Sequence, residues 1–369
     1  MHIFNGLHPS GMERMLHSGG KYSQVPLDRV TIVGQGTENP FASELEGVGY
    51  SVATIPKLKS WKGMAALMRT IRSERPSVIH VHTESAYAQA VLAAKAASPG
   101  TPIIRSVHSI FKKRFLPNLY RRITSVFLDR YVARFVACSP EVQSFESAFG
   151  RNIEVVWNWV DDSFFVQRGI EDRDLTASST KEFIFVGNCS VIKNHDLVLR
   201  ALQVSHVEAR VPFRLYHYGR ESGASVFEVE TLNRLEKGGR LGHRGVGNPL
   251  ESMSQRPLYL MPSLHEGMGV ALAEAIVVGL SCLVADSVGL QWAREFPNVR
   301  HVSNDLEAWT DALISTPSRM KVDESVNIER FSAELGMGRY HSIYKAAVAD
   351  AKTTRGRFKH LPVKHRVQP

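Results

Sequence analysis

Short runs of aliphatic and β-branched residues alternate with longer amphipathic stretches along most of the chain. The short runs predict buried strands, at Arg29–Gly34, Tyr50–Ile55, Ser77–His82, Pro102–His108, Arg134–Ser139, Ile153–Asn158, Glu182–Gly187, Phe213–Gly219, Pro257–Ser263 and Leu280–Asp286. The longer stretches predict helices, at Trp61–Glu74, Ala86–Ser98, Phe115–Arg130, Asn194–Val204, Val226–Lys237, Gly269–Val278 and Phe331–Ala351. This alternation indicates parallel sheets covered by helices on both faces.

One segment interrupts the alternation. Residues Asp161–Lys181 are rich in charge, serine and threonine and have little apolar periodicity, which predicts a linker. A chain of 369 residues is also long for one domain. We therefore expect an α/β protein with two doubly wound, Rossmann-like domains that bind ligands at the carboxyl ends of their strands. The predicted organisation is an N-terminal domain (1–165), the linker (166–181), a C-terminal domain (182–334), a helix (335–352) and a basic tail (353–369).

The composition is typical of a globular protein, with 43% hydrophobic and 22% charged residues. The N-terminal residues lack the basic and apolar regions of a signal peptide. The longest apolar stretch, Gly267–Ala285, contains an acid and three glycines, so it predicts a helix followed by a strand rather than a membrane span. The three cysteines are widely spaced and form neither a zinc pattern nor a disulfide framework, which indicates a reducing cytoplasm.

The formal charge of +9 is concentrated in two places. Residues 111–123 contain five cations, no anion and several large apolar side chains, and the tail from Lys352 to Pro369 adds six cations. Such patches suit an anionic surface, either nucleic acid or lipid head groups. The simpler interpretation is a solvated helix face followed by a loose basic tail.

Two glutamates enclose a predicted helix start. Glu266 lies in a loop with Gly267 and Gly269, and Glu274 lies about a turn and a half inside the helix that follows. The free N–H groups and the positive dipole end of a helix N-terminus favour an anion. A carboxylate on each side of an anion site suits a ligand with phosphate in the middle and hydroxyl groups at both ends, such as a nucleotide sugar.

Lys193 lies in another predicted loop, between the strand that ends at Gly187 and the helix that follows. A lysine at the end of a strand can reach a diphosphate as a point charge. Taken alone, this residue is more simply interpreted as a surface lysine before a helix.

Together these segments resemble the retaining GT-B glycosyltransferases of family 4, especially those of bacterial surface-polysaccharide assembly. The resemblance is carried by Val186-Gly187, Lys193-Asn194-His195, Met261–Gly267 and Glu274–Leu280. Further similar segments are Ser10–Arg14, Val78–His82, Arg105–Ser109, Trp157–Asp161 and Phe331–Tyr344. The resemblance implies two domains that face a central cleft and a C-terminal helix that crosses back to the N-terminal domain.

The resemblance also implies roles for particular residues. Glu266 would bind donor-sugar hydroxyls, Glu274 would bind the ribose, and Lys193 would neutralise charge on the leaving phosphate. The implied donor-binding set is Gly187, Asn188, Lys193, Arg220, Val246, Glu266, Gly267, Met268, Gly269, Val270 and Glu274. The implied catalytic residues are Glu266, His108 and Lys193, and the implied acceptor-side residues are Gly11, Glu13 and His82. No metal and no cofactor is expected.

The implied activity is the transfer of a sugar from a nucleoside diphosphate, UDP in preference to GDP, to a glycan acceptor attached to a lipid. We expect a cytoplasmic enzyme of exopolysaccharide, capsule or lipopolysaccharide synthesis. It would contact the inner face of the plasma membrane through residues 111–123 and would not bind nucleic acid.

Some residues depart from the family pattern. Asn188 occupies the position of an arginine, whose bidentate hold on phosphate is missing unless Arg220 or Arg256 replaces it. Ser10 and Trp159 occupy glycine positions. Two alternatives remain open: a non-catalytic subunit that binds nucleotide sugar, which Asn188 and Trp159 support, or an epimerase or phosphorylase with the same fold.

Other patterns are better explained without chemistry. His80 and His82 have a spacing known for metal ligands, but no carboxylate or cysteine set accompanies them. Asp172-Arg173-Asp174 lies in the predicted linker and indicates solvated charge. Gly34-Gln35-Gly36 lacks the third glycine of a dinucleotide-binding fingerprint.

Overall fold

The chain forms two compact units. The structure is a computed structural model that describes residues 1–9, 11–110, 123, 126–168, 180–209, 212–255, 257–317 and 320–359. The first unit comprises Met1–Cys138, Gln143–Val156 and Glu334–Pro369, and the second comprises Ser139–Val142 and Trp157–Ala333.

The first unit contains a parallel sheet in the order β3-β2-β1-β4-β5-β6-β7. Its strands are β1 (His2–Ile3), β2 (Thr31–Gln35), β3 (Ser51–Ile55), β4 (Ile79–Val81), β5 (Ile103–Val107), β6 (Val132–Ala137) and β7 (Ile153–Val155). The helices along this part of the chain are α1 (Gly11–Gly19), α2 (Ala42–Gly47), α3 (Trp61–Glu74), α4 (Tyr87–Ala97) and α5 (Pro140–Ser147).

The second unit contains a parallel sheet in the order β10-β9-β8-β11-β12-β13. Its strands are β8 (Lys181–Val186), β9 (Phe213–Tyr218), β10 (Leu241–Gly245), β11 (Leu258–Met261), β12 (Cys282–Ala285) and β13 (Val299–Val302). Its helices are α6 (Asp162–Arg168), α7 (His195–Ala209), α8 (Val226–Lys237), α9 (Leu250–Met253), α10 (Val270–Val278) and α11 (Leu306–Ser315), and the long α12 (Ala333–Lys359) follows them.

Each sheet reverses its strand order at one place. In the first sheet the reversal lies between β1 and β4, and in the second between β8 and β11. The loops after two such strands diverge to opposite faces, which leaves a crevice at the carboxyl ends where α/β proteins bind ligands. In the second unit this position lies between the loops that follow Val186 and Met261.

The predicted fold class is confirmed, because both units are parallel α/β sheets. Every residue of β11 and β12 is buried, as expected for strands with helices on both faces. Three strands were not predicted. β1 has only two residues, and β10 and β13 are edge strands that include glycine, histidine or arginine. Short or polar edge strands carry little of the apolar signal that predicts a strand.

The unit boundary differs from the predicted boundary at residue 165. Val160 donates its N–H to the carbonyl of Phe331 at 3.0 Å, and the ring of Trp157 packs edge-on against Trp292. These contacts place the segment from Trp157 in the second unit. Residues 169–179 of the predicted linker lie outside the described residues, as do residues 360–369 of the predicted basic tail.

The closing helix α12 belongs to the first unit from Glu334 onward. The hydroxyl of Tyr344 lies 2.7 Å from Nδ1 of His80, and the hydroxyl of Tyr340 lies 3.0 Å from Oγ of Ser106. These buried hydrogen bonds fix the helix on the strand ends of β4 and β5. Within the described parts of the chain, no helix is both long enough and apolar enough to span a bilayer.

A buried ion cluster joins the end of the first sheet to the chain after β5. The guanidinium group of Arg151 binds the carboxylate of Glu146 and lies 2.7 Å from Oδ2 of Asp129. The side chains of Arg151 and Glu146 are almost completely buried. Each charge therefore depends on its partner, because neither can be solvated by water.

We expect Arg151→Met to lower the free energy of unfolding by about 3–5 kcal/mol, since it leaves a buried carboxylate without its cation. Urea denaturation followed by circular dichroism measures this change. The matched control is Arg134→Met, whose pair with Asp350 is exposed and should be worth less than about 1 kcal/mol. Equal losses in both variants would contradict this account of the cluster.

Candidate functional site

The reversal point of the second sheet brings together two of the predicted site residues. Lys193 lies in the loop after β8 (residues 187–194, the lysine loop), and Glu266 begins the loop before α10 (residues 266–269, the glycine loop). Their segments are joined by a backbone hydrogen bond of 2.8 Å from Leu264 to the carbonyl of Ile192. Nζ of Lys193 then donates to Oε1 of Glu266 at 2.6 Å.

Glycines keep the space beside Lys193 open. A Cβ atom on Gly187 would lie 3.3 Å from Cε of Lys193, so the lysine side chain passes directly over this residue. Gly219, at the end of β9, contacts the carbonyl of Gly187 so closely that a side chain there would clash with backbone. The two strand ends therefore approach each other only because residue 219 is glycine.

The carbonyl groups of the glycine loop are turned toward the protein. Oγ of Ser139 donates to the carbonyl of Gly267 at 2.7 Å, and Nε1 of Trp292 donates to the carbonyl of Met268 at 2.8 Å. Both bonds are buried. Because they hold the loop from its carbonyl side, the loop cannot rotate freely about its backbone.

Packing reinforces this arrangement. Gly289 contacts the backbone of Glu266 so closely that a Cβ atom would clash with its carbonyl. The ring of Trp292 packs against Trp157 at 5.7 Å and against Phe331 at 5.4 Å, measured between ring centroids. The glycine loop therefore rests on a buried aromatic cluster.

The helix α10 begins directly after the glycine loop. Gly269 has φ +76°, a left-handed conformation that glycine adopts without steric cost. The first N–H groups of α10 have no carbonyl partner within the helix, so this end can bind an anion. Glu274 lies on the same helix and is half-buried.

Asn188, which replaces the family's arginine, has a structural role in the lysine loop. Its Oδ1 accepts a hydrogen bond of 2.8 Å from the backbone N–H of Arg220. Cys189 donates its own N–H to the carbonyl of Arg220 at 2.9 Å. These bonds tie the lysine loop to the loop after β9. Arg220 itself is exposed, and Arg256 lies outside the described residues.

Arg244, near the end of β10, is paired with two acids from neighbouring segments. Arg244 binds both carboxylate oxygens of Glu221 at 2.8 Å and Oε2 of Glu236 at 2.7 Å. The hydrogen bond from Arg244 lowers the pKa of Glu221, so this carboxylate stays charged. The neighbouring Val246 is 60% exposed, which leaves its surface available to a ligand.

The first unit carries the other predicted residues. His82 lies just after β4, with Nδ1 3.2 Å from Nε2 of His108 and Nε2 3.0 Å from Nδ1 of His2. Phe4 stacks on His82 at 4.4 Å between centroids. Of the other two predicted acceptor-side residues, Gly11 is exposed at the start of α1 and Glu13 is buried.

His2, His80 and His82 could hold a metal ion by proximity alone, since their ring nitrogens lie within 4.8 Å of one another. Hydrogen bonds already engage these nitrogens, however. His80 contacts Tyr344 and Ser106, while His82 contacts His2 and His108. Burial is the main cause that lowers the pKa of all three histidines well below the usual value, which favours neutral rings.

Two family models together match most of the chain. The model described as glycosyltransferase family 4 matches residues 9–164, and the model described as glycosyl transferases group 1 matches residues 180–316. The chain belongs to the family 4 glycosyltransferases. The resemblance that the site residues predicted is therefore confirmed.

Two curated relatives of this family 4 glycosyltransferase are similar over long stretches. A Bacillus subtilis (strain 168) protein named glycosyltransferase EpsF is 21% identical over 93% of this chain and 95% of its own. An Escherichia coli protein named UDP-Gal:alpha-D-GlcNAc-diphosphoundecaprenol alpha-1,3-galactosyltransferase is 23% identical over 74% of each chain.

Solved structures show the same fold. A glycosyltransferase from Rickettsia africae ESF-5 superimposes with a TM-score of 0.73 at 16% identity, covering 94% of this chain and 98% of its own. Anabaena HepE, solved with UDP and glucose, has a TM-score of 0.67 at 15% identity and covers 98% and 99%. Both similarities support the GT-B fold of this family 4 glycosyltransferase.

The structure thus brings Lys193, Glu266 and Gly187 into contact in one unit, and His82 and His108 into contact in the other. The roles assigned to individual residues remain predictions. Sequence reasoning missed the residues that support the glycine loop from behind, which are Ser139, Gly289 and Trp292. The sequence signal that could have identified them is a polar residue or a glycine next to an apolar run.

We expect Trp292→Phe to loosen the glycine loop, because it keeps an aromatic ring but leaves the carbonyl of Met268 without its donor. The free energy of unfolding should fall by about 1–3 kcal/mol, and amide hydrogen exchange of residues 268–272 should accelerate. The control is Trp309→Phe. Trp309 is fully buried, and its Nε1 makes no hydrogen bond within the described residues.

Trp309→Phe should therefore cost stability through lost packing without changing exchange in the glycine loop. If both variants left that exchange unchanged, the bond from Trp292 would not be what holds the loop.

Proposed function

We propose that this family 4 glycosyltransferase transfers a sugar, with retention of anomeric configuration, from a nucleoside diphosphate sugar to a hydroxyl group of a lipid-linked glycan. The observation that carries the proposal is the pairing of Lys193 with Glu266 beside the N-terminus of α10, with Glu274 further along that helix. This set offers a cation, an anion-binding helix end and two carboxylates within a few residues.

The donor would lie along this set with its ribose toward Glu274 and its sugar toward Glu266. Glu274 is four residues beyond the first residue of α10, which corresponds to about 6 Å along the helix axis. The diphosphate would contact the N–H groups at the helix start, and the ribose hydroxyls would donate to the carboxylate of Glu274. Glu266 would then accept hydrogen bonds from the sugar on the other side of the phosphates.

The chemistry follows from the charges. As the bond between the anomeric carbon and the phosphate oxygen breaks, its electron pair passes to the phosphate, and negative charge grows there. Lys193 and the N-terminus of α10 would stabilise that charge, and the fixed glycine loop would require no reorganisation to do so. The acceptor oxygen would form the new bond on the same face and pass its proton to the departing phosphate oxygen, and no metal is needed for these steps.

The choice of UDP over GDP is supported by two relatives. The E. coli relative carries UDP-Gal in its name, and HepE was solved with UDP-glucose as well as with UDP. The backbone near Val246 is where we expect the base, because its exposed loop follows β10 on the same side of the sheet. UDP-sugars are therefore the donors to test first.

The lipid-linked acceptor is supported by the E. coli relative, whose name specifies a diphosphoundecaprenol-linked sugar. Residues 111–122 of the basic segment lie outside the described residues. Ile123 at its end is 49% exposed, and the neighbouring Val126 and Phe127 are 69% and 58% exposed. Exposed apolar groups beside a basic segment suit peripheral contact with an anionic membrane. We therefore propose action at the cytoplasmic face of the membrane in surface-polysaccharide synthesis.

The alternative of a non-catalytic subunit rested on Asn188 and Trp159. Because Asn188 bridges the lysine loop to the backbone of Arg220, it has a role that is compatible with activity. Cation density near the phosphate would then come from Lys193 and the helix end. An epimerase would consume a UDP-sugar without any acceptor, so acceptor dependence separates that alternative from transfer.

Ligand-induced thermal stabilisation with UDP- and GDP-sugars, followed by transfer to a diphosphoundecaprenol-linked sugar, tests the proposal. We expect a UDP-sugar to raise the melting temperature and UDP release to require the acceptor. Nuclear magnetic resonance of the product should show the anomeric configuration of the donor. Donor binding without UDP release on any acceptor would favour the non-catalytic subunit instead.

Substitutions of the two glutamates should have different effects on UDP binding and on kcat. Glu274→Gln removes charge-assisted hydrogen bonds to the ribose, so we expect UDP to bind about 10–100-fold more weakly by calorimetry. Glu266→Gln should lower kcat by about 100-fold or more while changing UDP affinity little, since it contacts the sugar. Glu307→Gln, at an exposed acid on α11, is the control and should change neither quantity. Loss of UDP affinity in Glu266→Gln but not in Glu274→Gln would reverse the assignment.

A further inference from the structure

A second group of metal-ligating side chains lies in the second unit, directly behind the lysine loop. Cys189, His195 and His217 are all buried, and their ligand atoms lie within 4.8 Å of one another. Sγ of Cys189 is 3.3 Å from Nε2 of His217 and 3.7 Å from Nδ1 of His195. The three residues come from the lysine loop, the first turn of α7 and the end of β9, so the fold rather than the sequence brings them together.

Glu228 lies at the edge of this group, next to His195. Its Oε1 lies 4.0 Å from Nδ1 of His195, and both side chains are buried. Its other oxygen, Oε2, accepts a hydrogen bond of 2.7 Å from the backbone N–H of Ser225 at the start of α8. This second bond fixes the carboxylate and leaves Oε1 on the side of the histidine.

The distances from Cys189 to the two histidines are close to those of a tetrahedral zinc site. With zinc–nitrogen bonds of about 2.0–2.1 Å and a zinc–sulfur bond of about 2.3 Å, neighbouring ligand atoms lie roughly 3.5 Å apart. Sγ of Cys189 lies 3.3 Å and 3.7 Å from the two imidazole nitrogens, and Oε1 of Glu228 is further out, at 4.0 Å from His195. One sulfur, two imidazole nitrogens and one carboxylate oxygen form a donor set that suits Zn²⁺.

Charge balance also favours a divalent cation. A thiolate from Cys189 and the carboxylate of Glu228 together neutralise two positive charges, while both histidines remain neutral ligands. The thiol proton would pass to solvent when the ion binds. The cluster of His2, His80 and His82 in the first unit lacks such anionic ligands, and hydrogen bonds to other side chains already engage its nitrogens.

We propose that Cys189, His195 and His217 bind a structural Zn²⁺ ion, and that the carboxylate of Glu228 moves from its position 4.0 Å from His195 to supply the fourth ligand. Four protein ligands leave no open position, so the ion would be structural rather than catalytic. It would join the lysine loop to β9, α7 and α8, and would thereby fix the position from which Lys193 reaches Glu266. This site is separate from the donor chemistry proposed above, and it revises the expectation that the chain holds no metal.

The test uses the intact purified chain and reads the metal directly. Elemental analysis should find about one zinc per chain, and replacement by Co²⁺ should give the absorption spectrum of a tetrahedral centre with a thiolate charge-transfer band. Cys189→Ala should abolish that band, and His217→Gln should weaken Zn²⁺ binding by about 100-fold or more. Cys282→Ala removes another buried thiol of the same unit and should change neither result.

Two results would overturn the proposal. One is a wild-type chain that contains no zinc and is not stabilised by added Zn²⁺ in thermal unfolding. The other is a Co²⁺ spectrum that is octahedral or identical in Cys189→Ala and Cys282→Ala. If Cys189→Ala does not fold, the zinc content and the Co²⁺ spectrum of the wild-type chain still test the proposal. None of these readouts depends on glycosyl transfer, so failure of the proposed donor or acceptor would leave the test intact.

Discussion

The ion pair between Lys193 and Glu266 depends on two loops that meet at the reversal point of a parallel sheet. Its length of 2.6 Å is possible because the lysine loop follows β8, the glycine loop follows β11, and these strands are neighbours. A sheet with another strand order would send the two loops to distant positions. The same reversal places the N-terminus of α10 next to the pair, so cation, carboxylate and helix end share one crevice.

A polar site of this kind functions well only if its groups are held before the ligand arrives. The structure achieves this by binding the glycine loop from behind. Ser139 and Trp292 hold two successive carbonyl groups, and Gly289 permits the close backbone contact that supports Glu266. The N–H end of α10 is therefore fixed by groups that need not touch the ligand. The lysine loop is held in a comparable way by Asn188 and, in our proposal, by an ion bound at Cys189.

The sequence predicted the features that leave a pattern within a short stretch of residues. Buried strands produce apolar runs, and Lys193 and Glu266 follow two such runs, where the family resemblance made them candidates. The bond from Ser139 joins residues 128 positions apart, and no local pattern reports such a contact. His217 lies in a strand of mostly apolar and aromatic residues, so the sequence predicts only a strand there. Its partner Cys189 is 28 positions away. The edge strands β10 and β13 were not predicted because their polar residues weaken the apolar pattern that indicates a strand.

A crystal structure of the enzyme with bound UDP is the most direct measurement of the donor site. We expect the diphosphate at the N-terminus of α10 within hydrogen-bond distance of Lys193, and both ribose hydroxyls on the carboxylate of Glu274. The glycine loop should keep its bonds to Ser139 and Trp292 unchanged. UDP bound away from α10, or a ribose that does not contact Glu274, would contradict the placement of the donor on which the account depends.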